Sequence, residues 1–129
     1  MEITVGKQME KILDDYSKEV RRATSNSMDV VAKEGVKKLK NTSPRQAKHR
    51  RKYAEGWAVK REKTGTGIPV VTIYNRTNPQ LTHLLENGHD VYNDRFGPKL
   101  GRANGKKHIG PVNDWAQSAL PEEIKKELE

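Results

Sequence analysis

The feature of this chain that most constrains its fold is a change in the spacing of its apolar residues. Between residues 7 and 40 they recur at steps of three and four, which predicts one long amphipathic helix or two shorter ones. Thr4 is a candidate N-cap for this helix, and Asn41 and Pro44 are expected to end it. The predicted apolar face consists of Met9, Ile12, Leu13, Tyr16, Val20, Ala23, Ser27, Val31 and Leu39.

Beyond residue 56 the apolar residues alternate instead, which is typical of β-strands. Trp57 and Val59 begin one such run, and Val71 and Ile73 lie in a second run over residues 68–75. The two runs are separated by a Thr-Gly-Thr-Gly turn. Two β-prone runs around a glycine-containing loop predict an antiparallel hairpin, with Trp57 in the core.

A short helix is predicted after the hairpin. Asn78 supplies a candidate side-chain cap, and Pro79 suits the first helical position because its missing N–H has no partner there anyway. Gly88 is the expected left-handed stop. We expect the apolar face of this helix to bury against the sheet face that carries Val71 and Ile73. That face consists of Leu81, Leu84 and Leu85.

A final amphipathic helix is predicted from Pro111, with a restart at Pro121. Trp115 is expected to lie either in the core or at an interface. The predicted fold is therefore α+β. A long N-terminal helix packs on a small antiparallel sheet, with a short middle helix and a C-terminal helix, in one domain over residues 1–129. On this basis Leu84→Asp should abolish folding, whereas His108→Ala should leave it intact.

Two segments lack regular apolar support. Residues 44–52 are predicted to form a mobile basic linker. Residues 88–107 are rich in glycine and longer than a usual connection, so they are predicted to form a flexible loop. Residues 91–92 and 108–109 are β-prone and could pair across the base of that loop. The side chains of His83, Glu86 and Asn87 are expected to fix the loop at Gly88 by hydrogen bonds.

Charge is distributed unevenly along the chain. The net charge is +8, residues 37–63 hold eleven Lys or Arg against two Glu, and residues 110–129 carry a net charge of −3. A basic middle and an acidic end suit phosphate contact, an acidic protein surface, or a second copy bound head to tail. Contact with phosphates alone would be salt-sensitive and independent of nucleotide sequence. The candidate contact residues are Arg45, Lys48, Arg50, Arg51, Lys52, Lys106 and Lys107.

The sequence offers little support for catalysis, a cofactor or a metal. It has no cysteine, no nucleophile elbow, and no apolar run of about 20 residues that could span a membrane. Residues 101–107 resemble a phosphate loop but have the wrong glycine spacing and no hydroxyl after the lysine. A metal site remains an alternative, weaker than a purely structural role for the same side chains. Its candidate ligands are His83, Glu86, His89, Asp90 and His108.

The order of several short motifs is informative. Residues 53–57 are YAEGW, residues 81–89 are LTHLLENGH, and residues 107–111 are KHIGP. In this order, after a long amphipathic helix, they resemble the tail-component or head–tail joining proteins of long-tailed double-stranded DNA phages. The resemblance extends over residues 7–128.

This resemblance implies a structural virion subunit that is not an enzyme and needs no cofactor. It implies a ring of identical copies, a hexamer or dodecamer, around the channel through which the genome leaves. The subunit would join head to tail or complete the tail, contact other neck and tail proteins, and touch DNA without sequence preference. With no export signal evident, synthesis is expected in the host bacterial cytoplasm.

Two alternatives come from other classes of protein. The first is a small basic nucleic-acid-binding protein that uses the basic middle of the chain. The second is a small metal-dependent enzyme or ribonuclease-like toxin that uses His83, His89 or His108.

Overall fold

A long helix packed on a three-stranded antiparallel sheet forms the centre of the protein. The computed structural model describes residues 1–6, 18–45, 48–65, 67–92 and 99–129, with the backbone alone described at 48–51, 91–92 and 99. The helix is α1 (Lys18–Thr42), and the sheet has the strand order β1-β3-β2. Its strands are β1 (Ile3–Val5), β2 (Trp57–Glu62) and β3 (Val70–Asn75).

The remaining elements of the described residues are three further helices, a 3-10 turn and a second, two-stranded sheet. A 3-10 turn at Pro79–Leu81 leads into a short helix, and a two-stranded antiparallel hairpin precedes the last helix. The architecture is the α+β fold that the sequence predicts. The bounds are α2 (Lys48–Glu55), α3 (Thr82–Asn87), β4 (Gly88–Tyr92), β5 (Lys99–Asn104) and α4 (Ile109–Leu128).

The middle strand β3 brings the sheet to the core. Val71 and Ile73 are fully buried and face α1, which buries Met28, Val31 and Leu39 against them. A Cβ atom at Gly35 would lie 2.8 Å from Ile73 Cδ1. A glycine inside a helix costs about 1 kcal/mol relative to alanine. Here its absent side chain allows α1 to approach the sheet closely.

Helix α4 covers the remaining side of α1. Lys38 Nζ lies 4.8 Å from the centre of the Trp115 ring, and a surface depression further along the pair of helices is lined by Val30 and Glu123. These contacts show that α1 and α4 run antiparallel. Trp115 is partly buried at the edge of the core. The helix is continuous through Pro121, so the predicted restart there is wrong.

The N-terminal prediction is wrong in its details. Thr4 lies in β1, paired with Thr72 of β3, and does not cap a helix. Ile3 and Val5 are buried on either side of it, and a strand of three residues is too short to show a period in the sequence. Residues 7–17 lie outside the described residues, as do the predictions for Met9, Ile12, Leu13 and Tyr16 made on them.

The predicted linker and loop both contain regular structure. Residues 48–52 form the first part of α2, because Tyr53 and Ala54 are fully buried and hold the end of this helix against the core. Residues 88–92 pair with residues 99–104 as an antiparallel hairpin. The described part of residues 88–107 is therefore strand over most of its length. Residues 91–92 pair with β5, so the predicted pairing with residues 108–109 is wrong.

Two local predictions at the short helix also change. The side chain of Asn78 caps nothing; its backbone N–H donates to Asn75 Oδ1 over 2.8 Å, while Pro79 does occupy the first helical position. Gly88 has the predicted positive φ of 84°, but its ψ of 174° leads directly into β4. A Cβ atom there would lie 2.5 Å from Ala103 O, so only glycine fits.

Candidate functional site

Five polar side chains from five separate segments meet in the core beside the end of α1. We call this group the buried polar cluster, and each member is at most 3% exposed. Ser43 follows α1, Tyr53 lies in α2, Trp57 begins β2, Glu86 lies in α3 and His108 precedes α4. The motifs at residues 53–57, 81–89 and 107–111 therefore converge on one place.

Glu86 caps the N-terminus of α4 from a distant part of the chain. Its Oε1 accepts hydrogen bonds from the N–H groups of His108 and Ile109, both 2.8 Å away, and its Oε2 accepts one from Gly110 N–H at 3.0 Å. The first N–H groups of a helix have no acceptor within the helix, and a negative charge is favoured beside them. The carboxylate thus replaces the usual local cap.

The charge of Glu86 is stabilised in spite of its burial. Burial alone would raise the pKa of this carboxyl group. The three backbone N–H groups, together with nearby His108, outweigh burial and hold the pKa of Glu86 below its ordinary value. Glu86 is therefore an ionised carboxylate in the core.

The hydrogen-bond partners of His108 define its protonation state. Nδ1 lies 2.6 Å from Lys106 O and 3.0 Å from Glu86 Oε1, which are both acceptors, so the proton is assigned to Nδ1. Nε2 lies 2.6 Å from the Tyr53 hydroxyl, which donates to it. Burial lowers the pKa of His108, in keeping with a neutral ring. Burial also raises the pKa of Tyr53, helped by the charge of Glu86.

Trp57 and Ser43 extend the cluster to the end of α1. Trp57 Nε1 donates to Ser43 Oγ over 2.8 Å, and Ser43 Oγ donates to Leu39 O over 2.5 Å. The rings of Tyr53, Trp57 and His108 pack edge to face, with centroids 5.5–6.2 Å apart. Such packing adds about 0.5–1.5 kcal/mol for each pair beyond simple burial. The cluster therefore joins α1, α2, β2, α3 and α4.

Tyr53, His108 and Glu86 are residue types found in acid–base catalysis, but their geometry is that of a structural network. Both ring nitrogens of His108 and both oxygens of Glu86 already have partners inside the protein. A general acid or base must be within hydrogen-bond reach of a substrate. The enclosed His108 ring has no such access, so the network positions chain segments.

Of the candidate metal ligands, Glu86 and His108 lie together in the buried polar cluster, while His83 and His89 make separate contacts. Glu86 is used by α4, His83 is exposed and lies 3.2 Å from Asn87 Nδ2, and His89 Nδ1 lies 3.1 Å from Asp90 O. Among the residues that the structure describes, no three His, Cys, Asp or Glu side chains are arranged to hold a metal ion. Asn87 does fix the hairpin. Its side-chain Oδ1 accepts a hydrogen bond from Lys107 Nζ over 2.7 Å, and its backbone oxygen accepts one from Arg102 Nη2 over 2.8 Å.

One of the predicted core leucines is misplaced. Trp57, Val71, Ile73 and Leu85 are buried, and Leu81 packs partly buried against the core. Leu84 is 39% exposed, so its assignment to the core is wrong. Helix α3 has only six residues and buries the side that carries Thr82, Leu85 and Glu86. Leu84, one position before Leu85, points about 100° away from it.

Leu84 instead lies in a cleft on the outer side of the same segments. This cleft, which we call the basic cleft, has a volume of about 230 Å³. Arg45 and Lys106 line it, which brings together two predicted contact residues that are far apart in the sequence. The full lining is Pro44, Arg45, Leu84, Leu85, His89, Ala103, Asn104 and Lys106.

The other predicted contact residues lie elsewhere. Lys52 is exposed on α2, and Lys107 is exposed with its Nζ on Asn87 Oδ1. Lys48, Arg50 and Arg51 lie in α2, and their side chains are outside the described part of the structure. The structure thus places Arg45 and Lys106 in one cleft, and neither Lys52 nor Lys107 lines it.

The buried polar cluster is the part of the site that the sequence did not predict. A usable signal was present at the start of α4: position 108 carries none of the usual N-cap residues, although Gly110 and Pro111 suit the start of a helix. The N–H groups at the start of this helix therefore lack a local side-chain acceptor. The sequence does not say that Glu86 is the acceptor.

The buried polar cluster joins five segments of the chain, and the exposed surface is strongly charged. A family model of HK97-gp10-like bacteriophage tail-component proteins matches residues 7–88, nearly two-thirds of the chain. The chain belongs to this family and is a phage tail component. No curated protein and no solved structure gave a significant match. Among the described helices, none is long and apolar enough to cross a bilayer.

Proposed function

We propose that this tail component is a ring-forming subunit at the head–tail junction, where it joins head to tail or completes the tail. In this role it surrounds or lines the channel through which DNA leaves the head, contacts other neck and tail proteins, and is needed for virion assembly. It performs no catalysis. Membership of the tail-component family is the observation that carries the proposal.

The site geometry supports a structural role of this kind. The motif residues Tyr53, Trp57 and Glu86, all within the family match, are enclosed in the buried polar cluster and serve the fold. What remains for binding is the charged exterior, with a basic middle and an acidic end. Opposite charges at different places on one subunit favour head-to-tail contacts between copies, which close into a ring when the rotation allows.

Contact with DNA is supported by the charge of α2 and its surroundings. The helix has the sequence KHRRKYAE, and its buried residues Tyr53 and Ala54 hold it on the core while Lys52 is exposed. A basic helix fixed on a channel wall would screen passing phosphates without reading bases. Such contact weakens steeply as salt concentration rises.

Deletion of the gene in the phage tests this proposal most simply. We expect electron microscopy of the lysate to show DNA-filled heads without tails beside finished free tails, and complementation with the intact chain to restore infectious particles. Normal virions in the absence of the protein would overturn the proposed function. The isolated protein should self-associate weakly in light scattering, and negative-stain imaging should show rings under assembly conditions.

The nucleic-acid-binding alternative rests on the net charge of +8 and on the basic residues of α2. Titration of double-stranded DNA of several sequences at low and raised salt separates the two functions. The ring subunit should bind weakly, without sequence preference, and lose binding as salt rises. Tight, sequence-selective binding that survives moderate salt would favour the alternative.

A further inference from the structure

We propose that the basic cleft receives the C-terminal end of α4, residues 127–129, from a second copy of this chain. The inference rests on the proposed ring-forming function and names the surfaces through which neighbouring copies meet. The cleft side is formed by Arg45, Leu84 and Lys106, and the inserted side by Glu127, Leu128 and Glu129.

The cleft has the shape and chemistry of a receptor for one apolar side chain between two acids. Its volume of about 230 Å³ exceeds the 150 Å³ or so that accommodates a benzene ring in a protein interior. Leu84 and Leu85 supply an apolar surface, and the exposed Arg45 and Lys106 line the same cleft. An exposed leucine alone is common on protein surfaces and does not indicate a partner. The basic residues beside it indicate that the partner carries acidic groups.

Among the described residues, the charges around the cleft sum to a net positive value. Lys40, Arg45, Arg102, Lys106 and Lys107 lie at or next to it, against the acids Glu55 and Asp90. The ion pair between Arg45 and Glu55 spans 3.7 Å at the surface, where such pairs contribute little. Arg45 can therefore exchange this partner for a carboxylate of another molecule.

The end of α4 has the complementary pattern. Lys125 and Lys126 pair within the helix with Glu122 and Glu123, at 4.0 and 3.6 Å. No ion pair joins Glu127 or Glu129 to another described residue. Leu128 stands between these two acids and is 45% exposed. The acid–leucine–acid sequence at the end of α4 is therefore complementary in charge and polarity to a cleft lined by two basic residues and a leucine.

The fold prevents one chain from making this contact with itself. Glu86 holds the first turn of α4 beside α3, and Leu84 lies two residues from Glu86. From Ile109 to Leu128 the helix extends about 28 Å at 1.5 Å per residue. The cleft and the acidic end therefore lie at opposite ends of the subunit. A contact between different patches repeats from copy to copy, as a ring requires.

Disulfide trapping tests the contact directly, because the chain has no cysteine of its own. A chain carrying both Leu84→Cys and Leu128→Cys should form a ladder of dimers, trimers and larger species on a non-reducing gel after mild oxidation. Each single variant should give no ladder. The pair Val59→Cys and Leu128→Cys, which uses another exposed position, is the matched control. A disulfide needs Cα atoms within about 4.4–6.8 Å. A ladder no stronger than the control would overturn the inference.

Charge reversal identifies the partner. Arg45→Glu with Lys106→Glu, and separately Glu127→Lys with Glu129→Lys, should each weaken self-association about tenfold or more in analytical ultracentrifugation. Because the contact joins different patches, mixing the two reversed proteins should restore association. Circular dichroism should be unchanged, since all four residues are exposed. Two reversed proteins that each associate like the unaltered chain would contradict the inference.

The same variants separate this inference from the proposed function. If phage assembly needs the protein but both reversed variants still form rings, the interface is wrong and the function stands. If reversal in the cleft stops assembly while reversal at α4 does not, a different acidic partner occupies the cleft and the inference falls. If phages assemble normally without the protein, the proposed function itself fails.

Discussion

The buried polar cluster and the basic cleft share three short segments of the chain and use opposite sides of each. At three places, residues two positions apart point to different sides: Ser43, Glu86 and His108 lie in the cluster, whereas Arg45, Leu84 and Lys106 line the cleft. The inward residues hold α1, α3 and α4 together. The outward residues are charged or apolar and remain exposed to solvent.

This comparison places residues that hold the fold on one side of the three shared segments and exposed residues on the other. Inside, each donor and acceptor is placed for its partner, so a single change leaves another group without one. Outside, charges are solvated, and a change alters partners more than it alters stability. The predictions below test whether the two sides separate in this way.

The largest effect is expected at Glu86. Replacing it by alanine leaves the N–H groups of His108, Ile109 and Gly110 without their acceptor and should lower the free energy of unfolding by about 3–5 kcal/mol. Urea unfolding followed by circular dichroism measures the change. Glu122→Ala, at an exposed glutamate of α4, is the control and should change stability by less than about 0.5 kcal/mol. Equal stabilities of the two variants would contradict the role of the cluster.

The second prediction concerns His108→Ala and Leu84→Asp. The sequence suggests that the second is the more destabilising, whereas the structure predicts the opposite order. His108→Ala removes the partner of the Tyr53 hydroxyl and leaves a cavity, so we expect a loss of about 2–4 kcal/mol. Leu84→Asp changes an exposed side chain of the cleft, so the protein should still fold, with a loss below about 1 kcal/mol. Thermal unfolding of both proteins decides between the two orders.

A smaller loss is expected for Tyr53→Phe. The ring packing is kept, but His108 Nε2 loses its donor, which should cost about 1–2 kcal/mol. Tyr74→Phe, at a partly exposed tyrosine on β3, is the matched control and should be close to neutral. If both variants lose the same stability, the hydrogen bond to His108 contributes nothing special.

The smallest effect is a dependence of stability on pH. His108 and Glu86 both have a lowered pKa in the folded protein, so the unfolded chain takes up protons first as the pH falls. Stability should be constant between neutral pH and the ordinary Tyr value of 10.0, above which the raised pKa of Tyr53 causes a separate loss. It should fall below the ordinary His value of 6.5, by at most about 1.4 kcal/mol per pH unit. A second loss should begin below the ordinary Glu value of 4.5. His108→Gln should remove the first step alone; if that step persists in this variant, its assignment to His108 is wrong.

Local patterns in the sequence predicted the centre of the fold better than its connections. The stripe of α1 and the alternation in β2 and β3 are properties of neighbouring residues, and the structure confirms the helix over its described part and the antiparallel hairpin. Helix α2 was missed because its sequence is almost entirely basic, and the two residues that hold it, Tyr53 and Ala54, lie at its end.

The buried polar cluster could not be predicted from local pattern because its contacts join distant positions. Tyr53 and His108 are 55 residues apart, and Glu86 and His108 are 22 apart. Leu84 and Leu85 fit a helical stripe equally well, and a helix of six residues is too short to distinguish them by period. In the structure Leu85 shares the buried side of α3 with Glu86, whose carboxylate accepts hydrogen bonds from the start of α4.

Hydrogen exchange at the start of α4 tests the structural role of the cluster most directly. In the unaltered protein the amides of His108, Ile109 and Gly110 should be protected almost as strongly as the core of α1, because Glu86 accepts all three. In Glu86→Gln the same amides should exchange at least about tenfold faster while those of α1 change less. Rapid exchange of these three amides in the unaltered protein would contradict the account.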